Sequence, residues 1–249
     1  GKDEWAAFIA ANPSVWVTMD AELPAGIPAG APRGLAAPVP GRAEAGPDPA
    51  PFLVLRGDAR HEARPDFFSA DLLDSSAAAR QRRGALAAER GEVEAARREL
   101  WGAWTLKHRA PEAPAFLGFL ALSRSEFPAA VSFYESAARI YDRTLVLAAR
   151  YNALPETRSA IVSGAANSAV NMGVAYERTG RRDLAEAAYR RALRLNPALA
   201  RARFNLAVLF WDRDWGRVVA ELEAALAADP AYAEAARHLA TARLRLRRR

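Results

Sequence analysis

A small residue recurs at regular intervals along the last two thirds of this chain. Glycine stands at positions 84, 118 and 173, and alanine follows at positions 207 and 240, so the intervals are 34, 55, 34 and 33 residues. Each of these residues lies within a run rich in Ala, Leu and Arg, which favours a helix. Repeats of this length are single helical units that bury their apolar faces only against their neighbours. The recurrence therefore predicts a stacked array of helices.

The amino-acid composition excludes several classes of protein. The 249 residues include no cysteine, and 51% are hydrophobic while 26% are charged. These values exclude a disulfide framework and a cysteine zinc site, and they argue against a wholly disordered chain. The sequence has neither an apolar stretch long enough to span a membrane nor a signal-peptide pattern. Because the chain begins with Gly1, we expect it to be a piece of a longer protein.

One segment carries most of a known repeat motif, and only the leading aromatic position departs from it, being Ala169. Residues 166–199 follow a 34-residue helix–turn–helix pattern, with the pattern residues Met172, Gly173, Tyr176, Ala185, Tyr189, Ala192 and Pro197. On these residues the segment resembles the tetratricopeptide-repeat family. In its inter-helix turn, we expect Gly180 to adopt a left-handed conformation and Asp183 to cap the second helix.

Stepping by the period extends this resemblance over residues 66–249. Repeats are predicted at 77–110, 111–144, 166–199 and 200–232, followed by a capping helix at 233–249. An insertion at 143–165 is expected to lengthen two successive helices, over 145–151 and 156–164, on either side of Leu154 and Pro155. It would either thicken the array or provide a partner surface. The predicted fold class is mainly α, a tetratricopeptide-type solenoid with a small N-terminal α/β lead-in.

The lead-in covers residues 1–65. We predict a short helix over 3–11, strands over 14–19 and 51–55, and a loop over 21–51, where prolines and glycines are concentrated. Residues 10–56 also resemble, on loose motifs, the soluble C-terminal part of bacterial multi-span glycosyltransferase-like (protein O-mannosyltransferase-like) membrane proteins. That resemblance implies transferase chemistry and membrane attachment upstream of this chain, and it favours a periplasmic or membrane-associated location.

Positive charge is concentrated at the C-terminal end. The formal net charge is +6, and the densest basic run comprises Arg237, Arg243, Arg245, Arg247, Arg248 and Arg249. These arginines would either contact phosphates of anionic lipid or nucleic acid, or form a solvated helix end that suits the helix dipole. Nucleic acid is the less expected partner, because no aromatic platform accompanies them.

Catalytic chemistry is poorly represented. His61, His108 and His238 lack the spacing of metal ligands. Asp212-Arg213-Asp214 is placed in an inter-helix turn, where Asp214 would cap the following helix, and Arg56-Gly57-Asp58 is typical of a turn. We therefore predict no catalytic, cofactor or metal site and expect the chain not to be an enzyme.

Binding is the predicted function. The family resemblance implies a concave face that is lined by the first helix of each repeat and grips a protein or peptide segment. The predicted partner-binding residues are Asn167, Asn171, Val174, Arg178, Arg201, Asn205, Val208 and Trp211, with Val170, Glu177, Phe204 and Asp212 on the same face. Among these, Asn171, Arg201 and Asn205 are expected to donate hydrogen bonds to a peptide backbone or carboxylate. The chain is thus predicted to be a non-catalytic interaction module.

Overall fold

The computed structural model describes the backbone of residues 16–18, 36–38 and 67–248 and the side chains of residues 73–248. It comprises two compact units, Gly1–Ala113 and Pro114–Arg249. The described part is mainly helical. None of its helices combines the length and the apolar character that crossing a bilayer requires.

The described strands of the first unit form one short ladder. Strand β1, Trp16–Thr18, pairs antiparallel with β2, Ala36–Pro38. β1 lies within the strand expected at 14–19, but β2 lies within the predicted loop 21–51, which is wrong at these three residues. A short edge strand requires only backbone pairing and tolerates a proline. The composition of β2, Ala-Ala-Pro, therefore did not distinguish it from a loop. The helix expected at 3–11 and the strand at 51–55 lie outside the described residues, and the α/β lead-in stays a prediction.

Among its described residues, the first unit also contains a helical hairpin. Helix α1, Phe67–Glu89, and α2, Val93–Leu106, form a hairpin whose turn contains Gly91 with a φ of 76°. Gly84 faces the fully buried Leu100, since an added Cβ would stand 2.8 Å from the Leu100 Cγ. The hairpin therefore depends on a small residue opposite a large one.

The second unit also consists of helical hairpins. Its helices are α3 Glu112–Ser123, which enters it at Pro114, α4 Phe127–Arg150, α5 Pro155–Arg178, α6 Arg182–Leu195, α7 Ala200–Leu209, α8 Trp215–Ala228 and α9 Ala233–Arg247. From α4 onward each helix packs against the next, and α5 also contacts α7. The first helices of successive hairpins are therefore neighbours, as stacking of repeats requires.

Small residues face buried tyrosine rings in this unit. Gly118 faces Tyr134 and Gly173 faces Tyr189, and both rings are almost fully buried. In each pair the large residue follows the glycine by 16 positions, as Leu100 follows Gly84. The small residue therefore recurs because it admits the large side chain of its own hairpin partner.

The turns follow two of the three local expectations, and the insertion at 143–165 stays a prediction. Helices α4 and α5 each have 24 residues and are separated by a short turn that ends at Leu154. Gly180 has the expected positive φ, 75°. Asp214 caps α8 by accepting a hydrogen bond from the Arg217 backbone nitrogen at 3.0 Å. The expectation for Asp183 is wrong: α6 begins at Arg182, so Asp183 lies inside the first turn and forms no cap hydrogen bond. The domain division at residue 65 stays a prediction.

Candidate functional site

Helices α5 and α7 carry the predicted partner-binding residues. On α5 these residues are spaced by four, three and four positions, and on α7 by four and three, so each set forms one stripe along its helix. We call this surface the α5–α7 face; it comprises Asn167, Asn171, Val174, Arg178, Arg201, Asn205, Val208 and Trp211. Trp211 lies in the turn that follows α7. Contact between α5 and α7 brings the two stripes side by side.

Exposure separates the true members of the face from the core. Asn167, Arg178, Arg201 and Val208 are exposed, while Asn171, Val174, Asn205 and Trp211 are half-buried. Two other residues expected on the face are not on it: Val170 is fully buried, and Phe204 is only 8% exposed. Each precedes a face residue by one position, and a step of about 100° around the helix turns it toward the core.

One hydrogen bond connects the two helices across the face. The Arg201 Nη2 donates to the Asn171 Oδ1 at 3.1 Å. In the described part of the chain, the Arg201 guanidinium forms no ion pair, and the side chains of Asn167 and Asn205 form no hydrogen bond. Asn171 therefore orients Arg201 without neutralising it, and the other guanidinium N–H groups stay available to a ligand.

Buried phenols lie close to this pair. The Tyr134 hydroxyl is buried without a hydrogen bond of acceptable geometry in the described residues. Burial raises the pKa of Tyr134, while the nearby Asn171 amide and Arg201 guanidinium act in the opposite direction. Tyr134 therefore stays a neutral phenol beneath the pair, and its hydroxyl leaves the positive charge of Arg201 in place.

The carboxylate of Glu177, which was expected on the same face, already has a hydrogen-bond donor. Glu177 accepts a hydrogen bond from the Tyr189 hydroxyl. Burial raises the pKa of the Glu177 carboxyl, and the Tyr189 hydrogen bond opposes that rise. Burial likewise raises the pKa of Tyr189. Glu177 is thus turned toward the hairpin interior and forms no ion pair with Arg201.

An aromatic group lies on the α7 side of the face. The Trp211 ring centroid lies 4.9 Å from that of Trp215 and 5.4 Å from that of His238, both in edge-on geometry. His238 also contacts Phe204, at 5.1 Å. His238 was missed as a site residue, although a step of 33 from Asn205 leads to it. From the sequence, the interval of 33 residues predicts only the capping helix at 233–249.

The other sequence candidates do not converge on a reactive centre. Arg178 is directed toward Phe127, whose ring centroid lies 6.0 Å from its guanidinium carbon. Within the described residues no cluster of three metal-ligating side chains occurs. Arg243 of the basic end pairs with Glu223 at 2.8 Å. His61 and the Arg56-Gly57-Asp58 turn lie outside the described residues. The α5–α7 face presents the Arg201 cation, oriented by Asn171, on the same surface as the apolar side chains of Val174 and Val208.

Comparisons with known proteins agree with the repeat architecture. The family model for the tetratricopeptide repeat matches residues 166–199. The fold is similar to that of the Cut9–Hcn1 hetero-tetramer of APC/C, with a TM-score of 0.53 and 18% identity, covering 70% of this chain and 32% of that one. It is also similar to MamA, with a TM-score of 0.52 and 14% identity, covering 67% of this chain and 80% of that one.

These likenesses define the fold, since the identities are low. The chain spans about a third of the length of the Cut9–Hcn1 chain that it matches. The comparison with curated proteins gives no match. The second resemblance, to glycosyltransferase-like membrane proteins, is unsupported by these matches.

Proposed function

We propose that this chain, in which residues 166–199 match the tetratricopeptide repeat and whose fold is similar to those of Cut9–Hcn1 and MamA, is a protein-interaction module. Its α5–α7 face binds an extended segment of a protein partner. The observation that carries the proposal is the state of Arg201. This residue is exposed, oriented by Asn171 and without an ion pair in the described part of the chain. A cation held in this way has already lost much of its side-chain freedom, which lowers the entropic cost of binding.

The chemistry around Arg201 indicates what the segment contains. A carboxylate opposite the guanidinium forms charge-assisted hydrogen bonds, and a peptide group can bind the Asn205 amide. Val174 and Val208 lie along the two helices, and the Trp211 ring closes the α7 side with its edge-on neighbours. The preferred ligand is therefore a peptide with an acidic residue or a free carboxyl terminus next to apolar residues.

The test uses peptides selected from a displayed random library against the full chain. We expect the selected peptides to contain a carboxylate and to bind the Asn171→Ala/Arg201→Ala variant at least about tenfold more weakly, since hydrogen bonds to charged groups contribute about 1.5–3 kcal/mol. Isothermal titration gives the Kd. The control is Arg194→Ala, an exposed arginine of α6 outside the face that loses the same charge.

Three results would contradict this proposal. Unchanged affinity in the double variant, or equal losses in Arg194→Ala, would place the binding elsewhere. Replacing the peptide carboxylate by its amide should cost as much as removing Arg201, and an unaffected amide would refute the pairing.

A further inference from the structure

The distal end of the α4–α5 hairpin stands clear of the core of its unit. The two helices are each about 36 Å long at 1.5 Å per residue, whereas α6 to α9 contain 10 to 15 residues. At the base, Tyr141 and Ala165 are buried in a cluster that includes Leu195 of α6. Beyond it, in 146–160, only Ala148 is buried and only Ala153 is half-buried.

This exposed end carries large apolar side chains. Val146 is 66% exposed, Leu147 41%, Tyr151 71% and Leu154 69%. We call residues 143–158 the hairpin tip. Four such side chains within nine residues form a cluster, and exposed apolar clusters mark interaction sites more often than scattered residues do.

The same end is positively charged. Arg143, Arg150 and Arg158 are exposed and form no ion pair in the described part of the chain, while Glu156 is the one acidic residue of the hairpin tip. Arg143 and Arg150 flank Val146 and Leu147 at positions i, i+3, i+4 and i+7 of α4, so cations and apolar groups share one stripe.

We propose that the hairpin tip docks on a membrane surface that contains anionic lipids. Tyr151 and Leu154 enter the boundary between headgroups and acyl chains, where an aromatic ring with a polar end is favoured. The flanking arginines place their stems along the apolar layer and pair their guanidinium groups with lipid phosphates. The surface is separate from the α5–α7 face, so this inference does not depend on the peptide-binding proposal.

The geometry and the charge favour a lipid surface over other occupants. A second copy of this chain would bring two tips of the same positive sign together, which opposes association. A protein partner usually receives anchor residues in a packed pocket, whereas here the apolar groups themselves project from a free end. A fluid interface accommodates projecting side chains without a complementary shape.

The experiment uses a single label, since the chain contains no cysteine. An environment-sensitive fluorophore on Leu154→Cys should brighten and shift to the blue with vesicles of phosphatidylcholine and phosphatidylglycerol, and not with phosphatidylcholine alone. The same label on Leu244→Cys, an exposed leucine of α9 near the basic end, is the matched control and should stay unchanged. Added salt should weaken the response, since surface charges are screened beyond about 10 Å at 0.1 M.

Vesicle co-sedimentation of the unlabelled full chain provides the second measurement. Tyr151→Ser/Leu154→Ser and Arg150→Gln/Arg158→Gln should each reduce partition onto the anionic vesicles at least about tenfold. Leu244→Ser/Arg247→Gln should partition like the wild type. All four side chains at the tip are exposed, so unchanged circular dichroism and Tm are expected and confirm that the variants fold.

Several outcomes would overturn the proposal. Absence of sedimentation, equal binding to neutral vesicles, or loss in the α9 variant with retention in the tip variants would each do so, the last assigning the lipid contact to the basic end. Dimerisation without vesicle binding, abolished by Tyr151→Ser/Leu154→Ser, would assign the tip to a second copy. Binding of an acidic protein without vesicle binding would assign it to a protein partner.

Discussion

Two glycines in the second unit each accommodate a tyrosine. At Gly118, three ring carbons of Tyr134 lie 3.0 Å from where a Cβ would stand, and at Gly173 the Tyr189 ring lies closer still. Both tyrosines are at most 1% exposed. A methyl group at either position would have to displace an aromatic ring from a filled core, and such overpacking typically costs about 1–3 kcal/mol.

Substitution of Gly173 tests this reading. Gly173→Ala should lower the free energy of unfolding by up to about 2 kcal/mol, because the clash with Tyr189 offsets or outweighs the gain of about 1 kcal/mol that alanine brings to a helix interior. Urea denaturation followed by circular dichroism measures the change. Gly216→Ala is the matched control: its added Cβ would stand 3.4 Å from the Asp214 Oδ1, an ordinary contact, so stability should be equal or higher. A Gly173→Ala variant about 1 kcal/mol more stable than the wild type would disprove the close packing.

The repeat spacing predicted the role of the glycines, but it did not predict whether each tyrosine hydroxyl finds a hydrogen-bond acceptor. Tyr134 and Tyr189 occupy equivalent positions in their repeats, 55 residues apart. The position equivalent to Glu177 in the repeat of Tyr134 is Leu122, which has no hydrogen-bonding side chain. Tyr189 therefore has a carboxylate acceptor, while Tyr134 has none in the described residues. The hydrogen bond between Asn171 and Arg201 could not be predicted from the sequence either, because it depends on the distance between α5 and α7.

Two aspartates near helix N-termini have different roles. Asp214 directly precedes α8 and accepts from the Arg217 backbone nitrogen, whereas Asp183 lies within the first turn of α6. Both aspartates follow a turn and precede a run of residues with an apolar helical face, so the sequence pattern did not separate them. The backbone conformation separates them. Helix α6 begins at Arg182, so Asp183 lies one residue inside the helix, and its side chain does not occupy the N-cap position.

Cap removal should therefore have unequal effects. Asp214→Ala should lower the free energy of unfolding by about 1 kcal/mol, because an amide of the first turn of α8 loses its acceptor. Asp214→Asn keeps an acceptor and should stay close to wild type. Asp183→Ala removes only a charge near the helix N-terminus, so its effect should be smaller. Chemical denaturation of the three variants measures these differences, and equal losses at both aspartates would show that charge, not capping, matters.

The second unit is held by contacts between successive helices. One apolar cluster extends from Ala121 of α3 to Ala242 of α9, and Leu222 of α8 is fully buried within it. In a repeat array each hairpin interacts mainly with its neighbours, so stability is close to a sum of local terms and nearest-neighbour interfaces. A defect in one helix should therefore weaken adjacent helices first.

Leu222→Ala probes this coupling. It should lower the free energy of unfolding by about 2–5 kcal/mol through lost burial and a cavity. Hydrogen exchange should show the largest loss of protection in α7, α8 and α9 and a smaller loss in α4. Leu244→Ala, a substitution of a leucine that is 57% exposed, should change stability by less than about 0.5 kcal/mol. Uniform loss of protection over the unit would show that it unfolds as one cooperative block.

The sequence by itself determined the mainly helical repeat fold and the tetratricopeptide repeat at residues 166–199. These depend on local periodicity and on the size of single residues, which a linear pattern records. Only the tertiary structure decided that Val170 and Phe204 are buried, that Arg201 is held by Asn171 without an ion pair in the described part, and that Tyr151 and Leu154 project into solvent. These features depend on how neighbouring helices approach and on where their contacts end, and that is set by packing between residues distant in the chain.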